Sequence, residues 1–438
     1  MPSKKKKPGY LAPVYIIDGA RTPFIKARGK QGPFKASDLA VSAGRPLLNR
    51  LHDKAAPEKF DHVILGNVMA GADEANIARV ASLRLGFGKK VPAYTVHRNC
   101  ASGMQAIDSA AMDISTGRAD LILAGGVEAM SHAPLLWNDQ MINWLAGMAK
   151  AKGVGKAAAI AKLRPGMLKP VIGILLGLTD PVVGLNMGQT AEELAHRFGV
   201  SREEMDRFAM ESHIRLAQAQ DDGRLAEVEP LISSKGDVFD HDDGVRRDTS
   251  MEALGKLKPA FDKPFGSVTA GNSAQITDGA AWLVLASAKA VEELDLPVLA
   301  EVKHTRWAGV PPEHMGLGPA NAMALLLADL GMNTGDIGLF EINEAFAAQV
   351  LAVLRAFTDP GYIKEEVGLD ASFGPIPMDK LNVDGGAICV GHPVGASGAR
   401  IVLHIANAMK EKNLRFGLAS LCIGGGQGGA MLIERAQP

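Results

Sequence analysis

Cysteine is scarce: Cys100, Cys389 and Cys422 are the only three in 438 residues. So small and odd a set in so long a chain excludes a disulfide framework and points to a reducing compartment. Aromatic residues make up 5% of the chain against 47% hydrophobic residues overall, so the apolar load is aliphatic, as in layered α/β proteins. A surplus of one charge is missing too. Lys and Arg number 47, Asp and Glu 48, for a formal net charge of -1. That leaves no global field to attract a nucleic acid. No uninterrupted apolar run approaches the ~18 residues needed to span a bilayer. The start, with Lys4-Lys5-Lys6-Lys7, lacks the apolar stretch of a signal peptide and reads as a solvated basic tail. Metal-ligand spacings are missing: there is no CxxC and no HExxH. What remains is a soluble, cytoplasmic chain of two or three compact units.

Two of the three cysteines open small, Gly-rich turns. Cys100 lies in His97-Arg98-Asn99-Cys100-Ala101-Ser102-Gly103, and Cys422 in Leu421-Cys422-Ile423-Gly424-Gly425-Gly426-Gln427-Gly428-Gly429. Cys389, in Ala387-Ile388-Cys389-Val390, reads instead as a buried strand residue. The reactive form of a thiol is the thiolate, and a nearby imidazole can generate it. His97 and His392 are the candidate bases. His392 is favoured because it is held between Gly391 and Pro393 ahead of a helix.

Periodicity places these turns in a repeated plan. Val14-Ile17 and Val63-Val68 read as strands. Gly103-Thr116 has helical spacing, with a strand at Leu121-Gly126 after it. Cys100 therefore sits at a helix N-terminus, where the dipole favours a thiolate. In the last third, Gly395-Met409 reads as a helix, with strands at Phe416-Leu421 and Ala430-Ile433. Ala101-Ser102-Gly103 and Ala396-Ser397-Gly398 echo each other across the two halves. Asp295-Leu296-Pro297 reads as the linker between them.

The glycines after Cys422 fit neither a Walker loop, which needs Lys-Ser/Thr after them, nor a dinucleotide fingerprint, which needs a helix. They suit close backbone approach, with N–H groups aimed at a developing oxyanion. Cys422 reads as a second thiol that carries a proton, or as a buried strand-end residue. Asn343, after the strand-like Leu339-Ile342, can hold a water or donate to an oxyanion, or cap a helix.

One segment belongs to neither half. From Gln140 to Thr179 there is no acidic residue. Lys150, Lys152, Lys156, Lys162, Arg164 and Lys169 alternate there with Trp144, Leu145, Met148, Ile160, Leu163 and Leu168. Such a stretch suits an interfacial helix on anionic lipid, or lid helices over an apolar tunnel, and the two readings are compatible.

The motifs resemble those of the thiolase superfamily. They are Asn99-Cys100-Ala101-Ser102-Gly103, Gly125-Gly126-Val127-Glu128-Ala129-Met130-Ser131, Asn343-Glu344-Ala345-Phe346-Ala347, Gly391-His392-Pro393-Val394-Gly395-Ala396-Ser397-Gly398 and Cys422-Ile423-Gly424-Gly425-Gly426-Gln427-Gly428. They occur in family order over nearly the whole chain. The resemblance implies a duplicated α/β fold of two five-stranded halves, layered α/β/α/β/α, with an inserted loop domain. Residues 11–132 and 262–295 would form the N-terminal domain, 133–261 the loop domain, and 296–438 the C-terminal domain. The implied activity is thiolytic cleavage of 3-ketoacyl-CoA by coenzyme A, a co-substrate and not a resident cofactor. Cys100 would carry the acyl group, His392 would generate its thiolate, and Cys422 would protonate the departing enolate. Asn343 with His392, and the N–H groups of Cys100 and Gly424, would form two oxyanion holes. Ala270, Gly271 and Ser273 would contact coenzyme A.

Within the family the chain is most similar to β subunits of trifunctional fatty-acid oxidation complexes. That implies a homodimer core, a hydratase/dehydrogenase α subunit in an α2β2 complex, and peripheral membrane contact through 140–179. Two departures stand out. Asn343 replaces a His common in those β subunits, and Asn186 replaces a His common in biosynthetic thiolases. A biosynthetic, acetoacetyl-CoA-forming thiolase is the alternative. A non-catalytic acyl-CoA or lipid carrier is the alternative of another class.

Overall fold

The computed structural model describes residues 9–436, so the basic tail at Lys4–Lys7 lies outside the described residues. Ten strands form one continuous sheet. They are β1 Val14–Arg21, β2 Ile25–Lys26, β3 His62–Gly66, β4 Ala93–Val96, β5 Leu121–Ala129, β6 Thr277–Ser287, β7 Ala300–Gly309, β8 Leu339–Ile342, β9 Phe416–Ile423 and β10 Gln427–Arg435. The order is β8-β9-β10-β7-β1-β6-β5-β3-β4, with β2 beside β6.

The duplication expected from a short sequence echo is written in the strand directions. In the first half β4, β3 and β5 are parallel, while β5–β6 and β6–β1 are antiparallel. The second half repeats this, with β8 and β9 parallel and β9–β10 and β10–β7 antiparallel. The halves join through the antiparallel pairs Tyr15–Glu301 and Ile16–Ala300. The second half has four strands and not five. Where β4 would recur there is a single parallel bridge from Phe340 to Leu381. Pro375 and Pro377 precede it, and proline cannot donate to a strand ladder.

Side-chain alternation along the strands separates the layers. Ile16, Leu283, Leu285, Leu421 and Ile423 face a central core with helices α3 Ser102–Ser115 and α12 Val394–Glu411. Ile17, Trp282 and Val284 face an outer core under α1 Ala36–Leu51 and α2 Ile77–Arg84. Leu418, Cys422 and Leu432 face the other outer core, under α9 Gly318–Leu330 and α10 Ala347–Thr358. The result is α/β/α/β/α. Glycine lets the two central helices touch: a Cβ on Gly103 would lie 2.7 Å from the Ala399 nitrogen, and one on Gly398 2.6 Å from the Met104 nitrogen. The echoed Ala-Ser-Gly triplets are the contact surface of this helix pair.

Residues 139–177 form three short helices, α4 Asp139–Lys150, α5 Val154–Ile160 and α6 Gly173–Gly177. A two-stranded pairing of Leu135–Leu136 with Val171–Ile172 closes the excursion. Two longer helices follow, α7 Met187–Arg197 and α8 Arg202–Asp221. Ser201 caps α8 in a capping box with Glu204, as its sequence indicated. Cys389 is buried, but in the short helix α11 Ala387–Val390 and not in a strand. Gly386 and Gly391 flank that segment, so its apolar run is too brief for periodicity to tell helix from strand. Among the described residues, no helix is long and apolar enough to cross a membrane.

Candidate active site

Cys100 occupies a turn between β4 and α3. Asn99 takes a positive φ of 42° there, a conformation Asn tolerates better than most residues. The Ser102 hydroxyl donates to the Asn99 carbonyl at 2.7 Å and accepts from the Arg98 N–H at 2.9 Å, which braces the turn. The Asn99 amide also donates to the Gly424 carbonyl at 2.7 Å. That bond brings the loop after Cys422 over the thiol. The backbone N–H groups of Gly424 and of Cys100 itself lie close enough to the Cys100 sulfur to favour its thiolate. Gly426, with φ 81°, has no room for a Cβ, which would meet the Val310 carbonyl at 2.3 Å. The glycine run thus folds as a tight turn that presents backbone.

His392 lies at the start of α12, nearly buried. Its Nδ1 is 2.7 Å from the Ser397 hydroxyl, and that hydroxyl is 3.1 Å from the Pro393 carbonyl. A carbonyl only accepts, so a hydroxyl proton directed at Pro393 makes Nδ1–H the donor to Ser397 and leaves Nε2 with a free lone pair. Nε2 is buried with no hydrogen-bond partner, as is Asn343 Oδ1. Asn343 Nδ2 stands 3.5 Å from His392 Nδ1. Helix α10 begins at Ala347 with Phe346 as its cap, so Asn343 is not a helix cap. The other candidate base, His97, is exposed and turns to Asn99 Oδ1 at 3.0 Å.

Burial sets the protonation of the trio. It pushes the Cys100 thiol above its ordinary range, and the two N–H donors recover only part of this. Desolvation and the helix dipole act on this thiol in opposite directions. Burial, with the Arg400 guanidinium second, pushes His392 down to about 4. Burial and then the neighbouring Cys100 raise Cys422 well above the usual thiol range. The resting site is uncharged, two thiols and a neutral imidazole. Cys389 is pushed up to about 12, chiefly by burial, and its sulfur sits by the Ser212 and Gly386 carbonyls at 3.2 and 3.1 Å. It is an inert packing thiol.

Several residues that build the site had no role assigned from sequence. Glu128 is fully buried and accepts four hydrogen bonds, from Asn67 Nδ2, the N–H groups of Val68 and Met69, and the Gly395 N–H, at 3.0 to 3.1 Å. It clamps the loop after β3 to the first turn of α12. Burial pushes this carboxyl up to about 7 against the pull of those donors. Glu344, also buried, accepts from Ser212 Oγ at 2.6 Å and Asn382 Nδ2 at 2.8 Å, which fixes the segment leading to His392. Arg400 pairs with Glu341 at 3.1 Å, both buried. A charged residue inside an apolar strand is the signal that could have found Glu128, because such residues are seldom buried without partners.

A cavity of about 200 Å³ opens beside Cys100. Val68, Met69, Leu178, Val182, Met187 and Val394 give it an aliphatic wall. Its roof is the turn 178–187, closed by Asp180, whose Oδ1 accepts from the Val182 and Val183 N–H groups at 2.8 and 3.1 Å. Of the residues expected to contact coenzyme A, Ala270 is exposed, whereas Gly271 and Ser273 are buried. The Ser273 hydroxyl donates to the Thr269 carbonyl at 2.6 Å. None of the three lines this cavity. Among the described residues, no cluster of His, Cys, Asp or Glu is arranged to hold a metal ion.

Comparison with known proteins agrees with this geometry. The thiolase N-terminal domain family matches residues 14–289, and the thiolase C-terminal domain family matches residues 296–435. The chain belongs to the thiolase family. It is 37% identical over 424 residues to the human mitochondrial trifunctional enzyme subunit beta, covering 96% of this chain and 88% of that protein. It is 38% identical over 431 residues to a 3-ketoacyl-CoA thiolase of Klebsiella pneumoniae, covering 96% and 99%. A crystal structure of human mitochondrial 3-ketoacyl-CoA thiolase in complex with CoA superimposes with a TM-score of 0.83 at 34% identity, covering 98% of this chain and 99% of that one. In this thiolase Cys100 and Gly424 line one apolar cavity, Cys422 neighbours Cys100, and Asn343 stands beside His392.

Proposed function

We propose that this thiolase cleaves 3-ketoacyl-CoA with coenzyme A, giving acetyl-CoA and an acyl-CoA two carbons shorter, in fatty-acid β-oxidation. The observation that carries the reading is the Cys100 sulfur held under the Gly424 N–H, beside Cys422, at the aliphatic cavity. The catalytic set is Cys100, His392, Cys422, Asn343 and Gly424.

The reaction starts from the neutral thiol. As Cys100 Sγ attacks the keto carbon, its proton passes to His392 Nε2. The keto oxygen becomes an oxyanion, and the charge separation that burial disfavours is met by substrate and protein dipoles together. When the C2–C3 bond breaks, its electron pair goes to the enolate of acetyl-CoA. Cys422 supplies the proton to that carbon. The acyl group stays on Cys100 until the thiol of coenzyme A, giving its proton to the Cys422 thiolate, attacks it; Cys100 leaves and takes back the proton held on His392 Nε2. The high resting values of both thiols suit these roles: Cys100 is activated only with substrate present, and Cys422 holds a proton to give.

Residues 11–132 with 262–295 and residues 296–438 would act as the two thiolase domains, and 133–261 as the loop domain. Coenzyme A, a co-substrate, would enter beneath that domain near Ala270, Gly271 and Ser273. The six basic residues of the 140–179 insert are all exposed, beside exposed Trp137, Ile142, Leu145, Ile160, Leu163 and Leu168. That combination supports docking on an anionic lipid surface or an α subunit. A homodimer core is part of the same reading. Thiolysis of acetoacetyl-CoA and longer homologues by Cys100→Ser tests the assignment. Loss of coenzyme A-dependent cleavage supports it, and full activity overturns it.

A further inference from the structure

We propose that Gly177 sets the acyl-chain length this site accepts, by leaving the cavity beside Cys100 open toward the apolar face of the 139–177 insert. The inference rests on Cys100 carrying the acyl group, as proposed above.

Gly177 ends α6 and lines the cavity together with Met69, Leu178 and Val182. Neither conformation nor crowding demands a glycine there. Its φ is not among the positive values of the chain. A Cβ at this position would meet only the Met69 Cε, at 3.5 Å, which is ordinary contact. Gly126 shows the contrast: a Cβ there would lie 2.0 Å from the Gly395 carbonyl oxygen, so backbone approach dictates that glycine. At Gly177 the missing side chain matters through the space it leaves.

That space has apolar walls on both sides. Inside lies the aliphatic cavity, whose volume of about 200 Å³ cannot hold a long chain. Outside, Leu175 and Leu176 are each 59% exposed on α6 itself. Leu135 and Leu136 are exposed on the adjoining strand, which pairs with the segment entering α6. The occupant is the tail of the acyl group on Cys100. A short acyl group ends within the cavity. A long one pushes the Met69 side chain, whose Cε stands against Gly177, aside and covers these leucines, so each further methylene there leaves water. Met69 suits a gate, since an unbranched thioether side chain adapts to different fillings.

The test is the ratio of kcat/KM for 3-ketohexadecanoyl-CoA to that for acetoacetyl-CoA. In Gly177→Leu the ratio falls by about tenfold or more, whereas Gly177→Ala shifts it by less than about threefold. Adding Met69→Ala to Gly177→Leu restores part of the ratio by reopening the opposite wall. A ratio within about twofold of the parent in folded Gly177→Leu overturns the inference. Mass measurement of Cys100 after acetoacetyl-CoA separates the two ideas. An acylated Cys100 with an unchanged ratio sinks the role of Gly177 alone, and an unmodified Cys100 sinks the assignment beneath it.

Discussion

The Asn99 side-chain amide donates to the Gly424 carbonyl at 2.7 Å, joining the turn of Cys100 to the turn after Cys422 across 325 positions of sequence. One bond therefore registers the two halves at the site. The Gly424 N–H lies near the Cys100 sulfur at the same junction. A thiol from one half and a donor from the other form a working pair only when the halves pack together.

Replacing Ser397 with Ala removes the partner of His392 Nδ1. The imidazole then loses the bond that fixes its tautomer and ring angle. We expect kcat to fall by about tenfold to a hundredfold with little change in KM. An unchanged kcat in steady-state thiolysis would show that Nδ1 needs no such support.

Burial holds His392 at about 4, so the imidazole is neutral and able to accept a proton at every pH above that value. The acid limb of kcat/KM for the free enzyme should lie well below the ordinary imidazole value of 6.5. Cys100 is shifted the other way, so its alkylation by iodoacetamide should be slow at neutral pH and accelerate with a midpoint above the ordinary thiol range. An acid limb centred at 6.5 would mean an imidazole that burial does not perturb, and rapid alkylation at neutral pH a thiolate at rest.

Cys422→Ala deletes the proposed proton donor but leaves Cys100 and its turn intact. Thiolysis should slow by about a hundredfold or more, while alkylation of Cys100 persists. Full turnover in this variant would assign the proton to another group.

Glu128→Ala strips the acceptor from four N–H groups at once. A cost of about 3–5 kcal/mol is expected, read as a lower urea midpoint. A midpoint equal to that of the parent chain would show that the clamp contributes nothing to stability.

The chemistry-bearing turns were legible in the sequence because their composition is unusual. Cys422 opens a glycine run, Cys100 stands in Asn99-Cys100-Ala101-Ser102-Gly103, and His392 stands between Gly391 and Pro393. The thiolase resemblance implied the layered fold, strand and helix periods marked several of its elements, and the short Ala-Ser-Gly echo marks the contact between the central helices. What stayed hidden depends on burial and on distant partners. The dipole argument at Cys100 can be made from the sequence, whereas the desolvation that raises the thiol depends on the packed structure. Glu128 and Ser397 sit inside recognised motifs, yet their work is to bind the backbone after β3 and the ring of His392. Cys389 was placed in a strand because an apolar run between glycines carries no period to read. The missing fifth strand of the second half could have been suspected from Pro375 and Pro377.

The central claim is that Cys100 carries the acyl group. Acid-quenching the protein with a 3-ketoacyl-CoA in the absence of free coenzyme A, then mapping peptides by mass, tests it directly. The account predicts a shortened acyl group on the Cys100 peptide, discharged when coenzyme A is added, and none on Cys422 or Cys389. An acyl group on Cys422, or turnover with no acyl-cysteine at all, would contradict it.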